Sequence, residues 1–148
     1  MTSGAKEPGC VLCRALEGAG GPDSLVVHVG AHDFVVMNRY PYNPGHIMIA
    51  PRRHVGTLRD ATAEELTEMM SLARRAEEAF REAYKPDGMN IGMNLGRPAG
   101  AGVADHIHLH AVPRWSGDTN FMGVVAEVRV IPEDAVAAAA RLRPYFAR

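Results

Sequence analysis

The chain has 148 residues, with 16 Lys+Arg against 17 Asp+Glu and a formal charge of −1. Hydrophobic residues make up 47% and charged residues 22%, the balance of an ordinary globular domain. Near-neutrality excludes a broad basic face for nucleic acid, and no apolar run reaches the ~18–20 residues that span a bilayer, so no membrane role is expected. Any anionic ligand must be met by a local site. A single domain over residues 1–148 is expected, with residues 1–9 a flexible leader. The start, Met1-Thr-Ser-Gly-Ala-Lys-Glu-Pro, has neither the basic nor the apolar region of a signal peptide, and a cytoplasmic location is expected. Seven His and two Cys stand out by their placement.

Cys10-Val-Leu-Cys13 comes first. One such pair does not make a disulfide scaffold in a reducing compartment. Metal ligands, a redox pair or two small buried hydrophobes remain, and redox is the weakest because no strand precedes the pair. After a Gly/Pro break at residues 18–22, Leu25–Val29 and Phe34–Met37 read as a hairpin, with His28 and His32 on its surface. Asn38–Gly45 is a loop, and His46–Ala50 is a strand stopped by Pro51. Arg52, read with Arg53 as solvated, and His54 close that segment. Thr62-Ala-Glu-Glu65 has the spacing of a capping box. Behind it Leu66, Met69, Met70, Ala73, Ala76, Phe80 and Ala83 recur at helical intervals, predicting a core-facing helix that ends before Pro86. Met89–Asn94 reads as a strand, followed by a Gly-rich loop over Leu95–Gly102. His106–Val112 is the next strand, ending at Pro113, and a last helix follows Pro132 to Tyr145. The order of elements is that of an α+β domain.

Three histidines, His106, His108 and His110, alternate with Ile107, Leu109 and Ala111. A strand has period two, so the imidazoles share one face and the aliphatics pack on the other. The outer two lie about 13 Å apart along a strand, too far to converge on one ion at ~2.0–2.1 Å, which favours a division of labour between structure and chemistry. An imidazole beside a Gly-rich loop can attack phosphorus as a nucleophile. Gly96, Gly100 and Gly102 let backbone N–H groups approach an anion closely.

His106-Ile-His-Leu-His-Ala-Val112 resembles the defining pattern of the histidine-triad family of nucleotide hydrolases and transferases. Asn38 through His54 resembles that family's ribose-binding loop and Pro-Gly-His strand, and with the C-x-x-C the likeness covers roughly residues 10–122. Pro113-Arg114-Trp115 and the Gly100-Ala-Gly102 run look like bacterial diadenosine tetraphosphate phosphorylases and hydrolases. The resemblance implies a five-stranded antiparallel sheet with two main helices, and a homodimer. It implies that His108 attacks the α-phosphorus to give a nucleotidyl-histidine, released to water or inorganic phosphate without a catalytic metal. His110 and the backbone of Ala101 and Gly102 would hold phosphate oxygens, Asn38 ribose hydroxyls and Asn94 a phosphate oxygen, while His46 supports the triad. Cys10, Cys13, His54 and His106 match the ligands of a structural zinc in related proteins.

One departure concerns the phosphate loop. Where many members carry Gly-Gln-Ser/Thr, Ala101-Gly102-Val103 offers no polar side chain, so backbone N–H groups or Trp115 must serve. Trp115 either packs at the strand end or borders the leaving nucleotide. His110 argues against a sugar-phosphate transferase, in whose family Gln replaces the third histidine. The function expected is cleavage of a dinucleoside polyphosphate, with a nucleoside phosphoramidate hydrolase or a non-catalytic nucleotide-binding adaptor as alternatives.

Overall fold

The computed structural model describes residues 9–39, 43–102, 105–118 and 133–148. The expected flexible leader therefore lies outside the described residues but for Gly9, and so do Val103 of the phosphate loop and part of the loop after Asn38. Five strands, β1 (Val26–Val29), β2 (Asp33–Met37), β3 (Ile47–Pro51), β4 (Gly88–Gly92) and β5 (Leu109–Arg114), form one sheet in the order β1-β2-β3-β5-β4. Every neighbouring pair is antiparallel. Among the described residues three α-helices accompany it: α1 (Val11–Glu17), α2 (Ala63–Ala83) and α3 (Ala135–Phe146). The α+β architecture agrees with the sequence reading. Among the described residues no helix is long and apolar enough to cross a membrane.

Side-chain alternation divides the core between two faces. Val35 and Met37 of β2 join Ile47, Ile49, Leu109 and Ala111 beneath α2 and α3. Phe34 and Val36 face the other way, with Ala50, Leu12 and Cys13 under α1. The helix α1 has no counterpart among the elements expected from sequence. Seven residues are too few for a helix to stand alone in water, and burial of Leu12 and Cys13 against the sheet holds it.

The capping box of α2 forms as expected, with Thr62 accepting from Glu65 N–H at 3.0 Å and Glu65 accepting from Thr62 N–H at 2.8 Å. The buried stripe is shifted, however. Met69, Ala73, Ala76 and Phe80 lie in the core together with Leu72 and Ala79, whereas Leu66 is 37% and Met70 57% exposed. Met70 points about 100° away from Met69 and falls on the flank. Arg53 is not freely solvated. Its guanidinium grips Glu65 at 3.0 and 3.2 Å, tying the end of β3 to the start of α2.

The histidine strand also begins later than its pattern suggests. The ladder starts at Leu109 and continues through Pro113 to Arg114, so His106, Ile107 and His108 precede it. The cause is Pro51. It ends β3 without an N–H to offer, and the pairing of β3 with β5 covers only Ile47–Ile49 against Leu109–Ala111. Ile107 instead donates to the Val55 carbonyl at 2.8 Å.

Asp33 is fully buried on the α2 side of β2, and among the described residues neither carboxylate oxygen has a hydrogen-bond partner. Burial first, then the charges of Glu68 and Glu65, pushes its carboxyl up from 3.8 to about 8. The folded chain thus keeps a proton that the unfolded chain releases near pH 4. The contribution of Asp33 to stability therefore falls as pH rises from about 4 to about 8, at up to ~1.4 kcal/mol per unit. In urea melts, Asp33→Asn is expected to remove this contribution, so that the variant gains stability relative to the parent as pH rises and is the more stable protein at pH 8; a pH dependence unchanged by the substitution would contradict the assignment.

Candidate active site and metal centre

Two clusters converge on the segment His106–His110. In the first, Cys10 caps α1, Cys13 lies in its first turn, His54 follows β3 and His106 precedes β5. Cys10 Sγ is 3.3 Å from His106 Nδ1, and Cys13 Sγ is 3.4 Å from His54 Nδ1 and 3.6 Å from His106 Nδ1. All four residues are buried, and their four ligand atoms lie within 4.8 Å of one another. Bonds of ~2.3 Å to sulfur and ~2.0–2.1 Å to nitrogen at tetrahedral angles would place S and N about 3.6 Å apart. The donor set and its spacing therefore fit a closed Cys2His2 metal centre. Cys10 and Cys13 are not joined to each other in a disulfide.

His106 is prepared for such a role by its other nitrogen. Nε2–H donates to the Pro51 carbonyl at 2.8 Å, which leaves the Nδ1 lone pair facing the thiols. Burial first, then His54 and His108, lowers its pKa to about 4 against the opposing pull of that hydrogen bond.

In the second cluster His108 Nδ1–H donates to the His106 carbonyl at 2.9 Å, so that Nε2 carries the lone pair. The His108 and His110 rings meet edge to face, 4.9 Å between centroids. His46 Nε2 lies 2.9 Å from His110 Nδ1, one ring donating to the other, and the Asn38 amide is 3.4 Å from His46 Nε2. Gly45 permits this arrangement. Its φ is +83°, and a Cβ there would stand 3.0 Å from the Tyr84 ring and 3.1 Å from Pro113. Burial first, then His110 and His108, lowers His46 to about 4, and burial followed by His108 lowers His110.

The Gly-rich loop leaves β4 beside the triad, since Gly92 pairs with His110. Within it Asn94 Nδ2 lies 3.4 Å from the Gly100 carbonyl. The Ala101 N–H, expected to hold phosphate, donates to the Gly96 carbonyl at 3.2 Å and must give up that bond to reach an anion. Gly102 beside it is exposed. Trp115 is half-buried just past β5, five residues or about 17 Å of strand beyond His110. It stands at the other end of β5 from His106.

Sequence reasoning missed Asp118. Its carboxylate accepts from Asn43 Nδ2 at 2.8 Å, the Trp115 N–H at 2.9 Å and Arg114 Nη2 at 2.7 Å. The available signal was an acid four residues after Arg114 and at the end of a Ser-Gly turn. The hairpin histidines diverge from their reading in one respect: His32 is exposed, but His28 is half-buried with its ring 6.0 Å from that of Phe146. Both line a groove of about 550 Å³ with Glu68 and Arg75, and that groove shares no residue with either cluster.

Fold, triad and loop together define a histidine-triad protein, and comparison with known proteins agrees. A model of the HIT domain matches residues 22–117, and the chain belongs to the HIT family. It is 43% identical over 111 residues to a protein of Mycobacterium tuberculosis named AP-4-A phosphorylase, a match covering 75% of this chain. The chain spans only 57% of that relative's length. A bis(5'-adenosyl)-triphosphatase of Dictyostelium discoideum is 35% identical over 85 residues, covering 57% of this chain and 56% of its own. Among solved structures, a zinc-bound histidine triad family protein from Mycobacterium smegmatis is similar at a TM-score of 0.73 and 28% identity, with 94% of both chains covered. Cys10 and Cys13 lie outside the segment matched by the family model, so their case rests on geometry.

The depressed basicity of His46 has a measurable consequence. Between pH 4 and 6.5 the unfolded chain binds a proton that folded His46 refuses, so this residue's contribution to stability rises with pH across that window. By NMR its imidazole should stay neutral at pH 6 and titrate near pH 4; a midpoint near 6.5 would contradict the buried His46–His110 pair.

Proposed function

We propose that this protein cleaves dinucleoside polyphosphates, diadenosine tetraphosphate above all, through a nucleotidyl intermediate on His108. The observation that carries the reading is the hydrogen bond from His108 Nδ1–H to the His106 carbonyl, which commits Nε2 as a nucleophile. The Nε2 lone pair forms a bond to the α-phosphorus while the bridging P–O bond breaks, its electron pair leaving with the departing polyphosphate. Inorganic phosphate, or water giving up a proton to the solvent, then forms a new P–O bond, and the N–P electron pair returns to Nε2. Nδ1 keeps its proton throughout.

The other residues serve charge and placement. His110, braced by His46, and the loop amides of Ala101 and Gly102 hold phosphate oxygens as negative charge develops on them. Asn94 reaches a further phosphate oxygen, Asn38 the ribose hydroxyls, and Trp115 borders the leaving nucleotide. An approaching phosphate would favour imidazolium, and burial at His46 and His110 opposes that. The edge strand β4, with Ile91 45% exposed, is offered to a second copy of the chain in a homodimer.

Cys10, Cys13, His54 and His106 would hold a zinc ion. Bound there, zinc would supply structural cross-linking alone, because four protein ligands leave no open position. About one zinc per chain is expected by elemental analysis. Cys10→Ser with Cys13→Ser should remove it and lower the melting temperature, whereas wild-type metal content and stability in that variant would sink the site.

The reaction is tested by His108→Ala, for which a loss of at least about 10⁴-fold in kcat is expected with the circular dichroism of the fold unchanged. Near-wild-type turnover in that variant would reject the nucleophile. Products identify the acceptor: adenosine diphosphate plus triphosphate in inorganic phosphate mark phosphorolysis of diadenosine tetraphosphate, and adenosine monophosphate plus triphosphate mark hydrolysis. Faster turnover of an adenosine phosphoramidate than of diadenosine tetraphosphate would overturn the substrate class.

A further inference from the structure

Beyond β5 the chain turns sharply, Asp118 N–H closing on the Trp115 carbonyl at 3.0 Å. This turn is gripped from both sides. Asp87, at the start of the β4 hairpin, accepts from Ser116 N–H at 2.8 Å and donates its own N–H to the Arg114 carbonyl at 2.9 Å. On the other side stands the Asp118 carboxylate. It holds the Trp115 N–H and a two-pronged Arg114, whose Nε and Nη2 approach at 3.0 and 2.7 Å, and it holds the Asn43 amide. Asn43 also donates to the Pro113 carbonyl at 3.0 Å.

Asn43 is the point at which this network meets the site. Its carbonyl accepts from His46 N–H at 3.3 Å, and the His46 carbonyl accepts from Asn38 N–H at 2.9 Å. The His46 ring in turn braces His110. A continuous set of hydrogen bonds thus runs from the carboxylate of Asp118 to the backbone carrying His46 and Asn38, and to the backbone carrying Trp115. The bonds that the Asp118 carboxylate accepts are charge-assisted in a half-buried setting, where they are short and strong.

The geometry points to Asp118 as a positioning residue for substrate binding, fixing Trp115 relative to the turn that bears His46. This inference rests on the proposed nucleotide reading, in which Asn38 and Trp115 lie along the path of the substrate. Asp118 itself touches no reacting atom. Its loss weakens binding of the substrate in ground and transition state alike, which raises KM and leaves kcat nearly unchanged.

Trp115 is the single tryptophan of the chain, so its emission reports on the clamp directly. Asp118→Asn keeps the size of the side chain but sets an amide against Arg114 or Asn43. In the protein without nucleotide, this variant is expected to shift the emission to longer wavelength. Its KM for diadenosine tetraphosphate should rise about tenfold, with kcat changed less than about threefold. Asn43→Ala, which removes the link to the His46 turn and keeps Asp118 on the Trp115 N–H, should raise KM while leaving the emission in place. Unchanged emission in Asp118→Asn, or a loss confined to kcat and melting temperature, would overturn the inference. The emission is read without substrate, so a failed clamp is distinguished from a failed cleavage reaction, which turnover by the parent protein decides.

Discussion

His106 is the residue through which the rest of the site is held. Its Nδ1 faces the thiols of Cys10 and Cys13, its Nε2–H is fixed on the Pro51 carbonyl, and its own carbonyl accepts from His108 Nδ1. The ladder between β3 and β5 has not yet begun at this point, so sheet hydrogen bonds do not restrain the segment. Side-chain contacts and the bond from Ile107 N–H to the Val55 carbonyl take their place. A buried polar group deprived of its partner costs about 1–3 kcal/mol, enough to displace a segment secured by so few bonds. The C-x-x-C therefore bears on the proposed nucleophile, because it faces the residue whose carbonyl fixes the orientation of His108.

The near-zero net charge fits a protein that handles charge locally. His46, His106 and His108 are buried, and the first two are held neutral chiefly by their loss of water. Asp33 is driven the same way, toward its uncharged form, on the opposite side of the sheet from the metal cluster. Where an ion pair does form in the interior, as between Arg53 and Glu65, the carboxylate is already committed to capping α2. That pair secures the chain just before His54.

Features written in contiguous residues were legible in the sequence. The capping box at Thr62 depends on residues three apart, and the alternation of His106, Ile107, His108, Leu109 and His110 follows from backbone geometry alone. The start of β5 was not legible, because it is set by Pro51, more than fifty residues upstream. The exposure of Met70 likewise depends on how far α2 rolls on the sheet and on the room left by α3, neither of which a stripe of apolar residues records. The helix α1 escaped notice because its stability comes from the pocket that receives Leu12 rather than from its own propensity. The clamp at Asp118 was hidden for a similar reason: Asn43 and Asp118 are neighbours only once β3 and β5 are paired.

The three histidines of one strand pattern end in different chemical states, and backbone carbonyls distinguish two of them. A carbonyl can only accept, so the ring nitrogen facing it must carry the proton. The Pro51 carbonyl meets Nε2 of His106 and so turns the Nδ1 lone pair toward the thiols. The His106 carbonyl meets Nδ1 of His108 and so leaves the opposite nitrogen, Nε2, with the lone pair. Neighbouring imidazoles thus become opposite tautomers, one suited to ligate a metal and the other to attack phosphorus. A metal that captured His108 would consume the lone pair on which the proposed reaction depends. The break in pairing before Leu109 is what frees Pro51 and His106 to present these carbonyls, so the irregularity in the strand separates the histidine proposed for structure from the one proposed for chemistry.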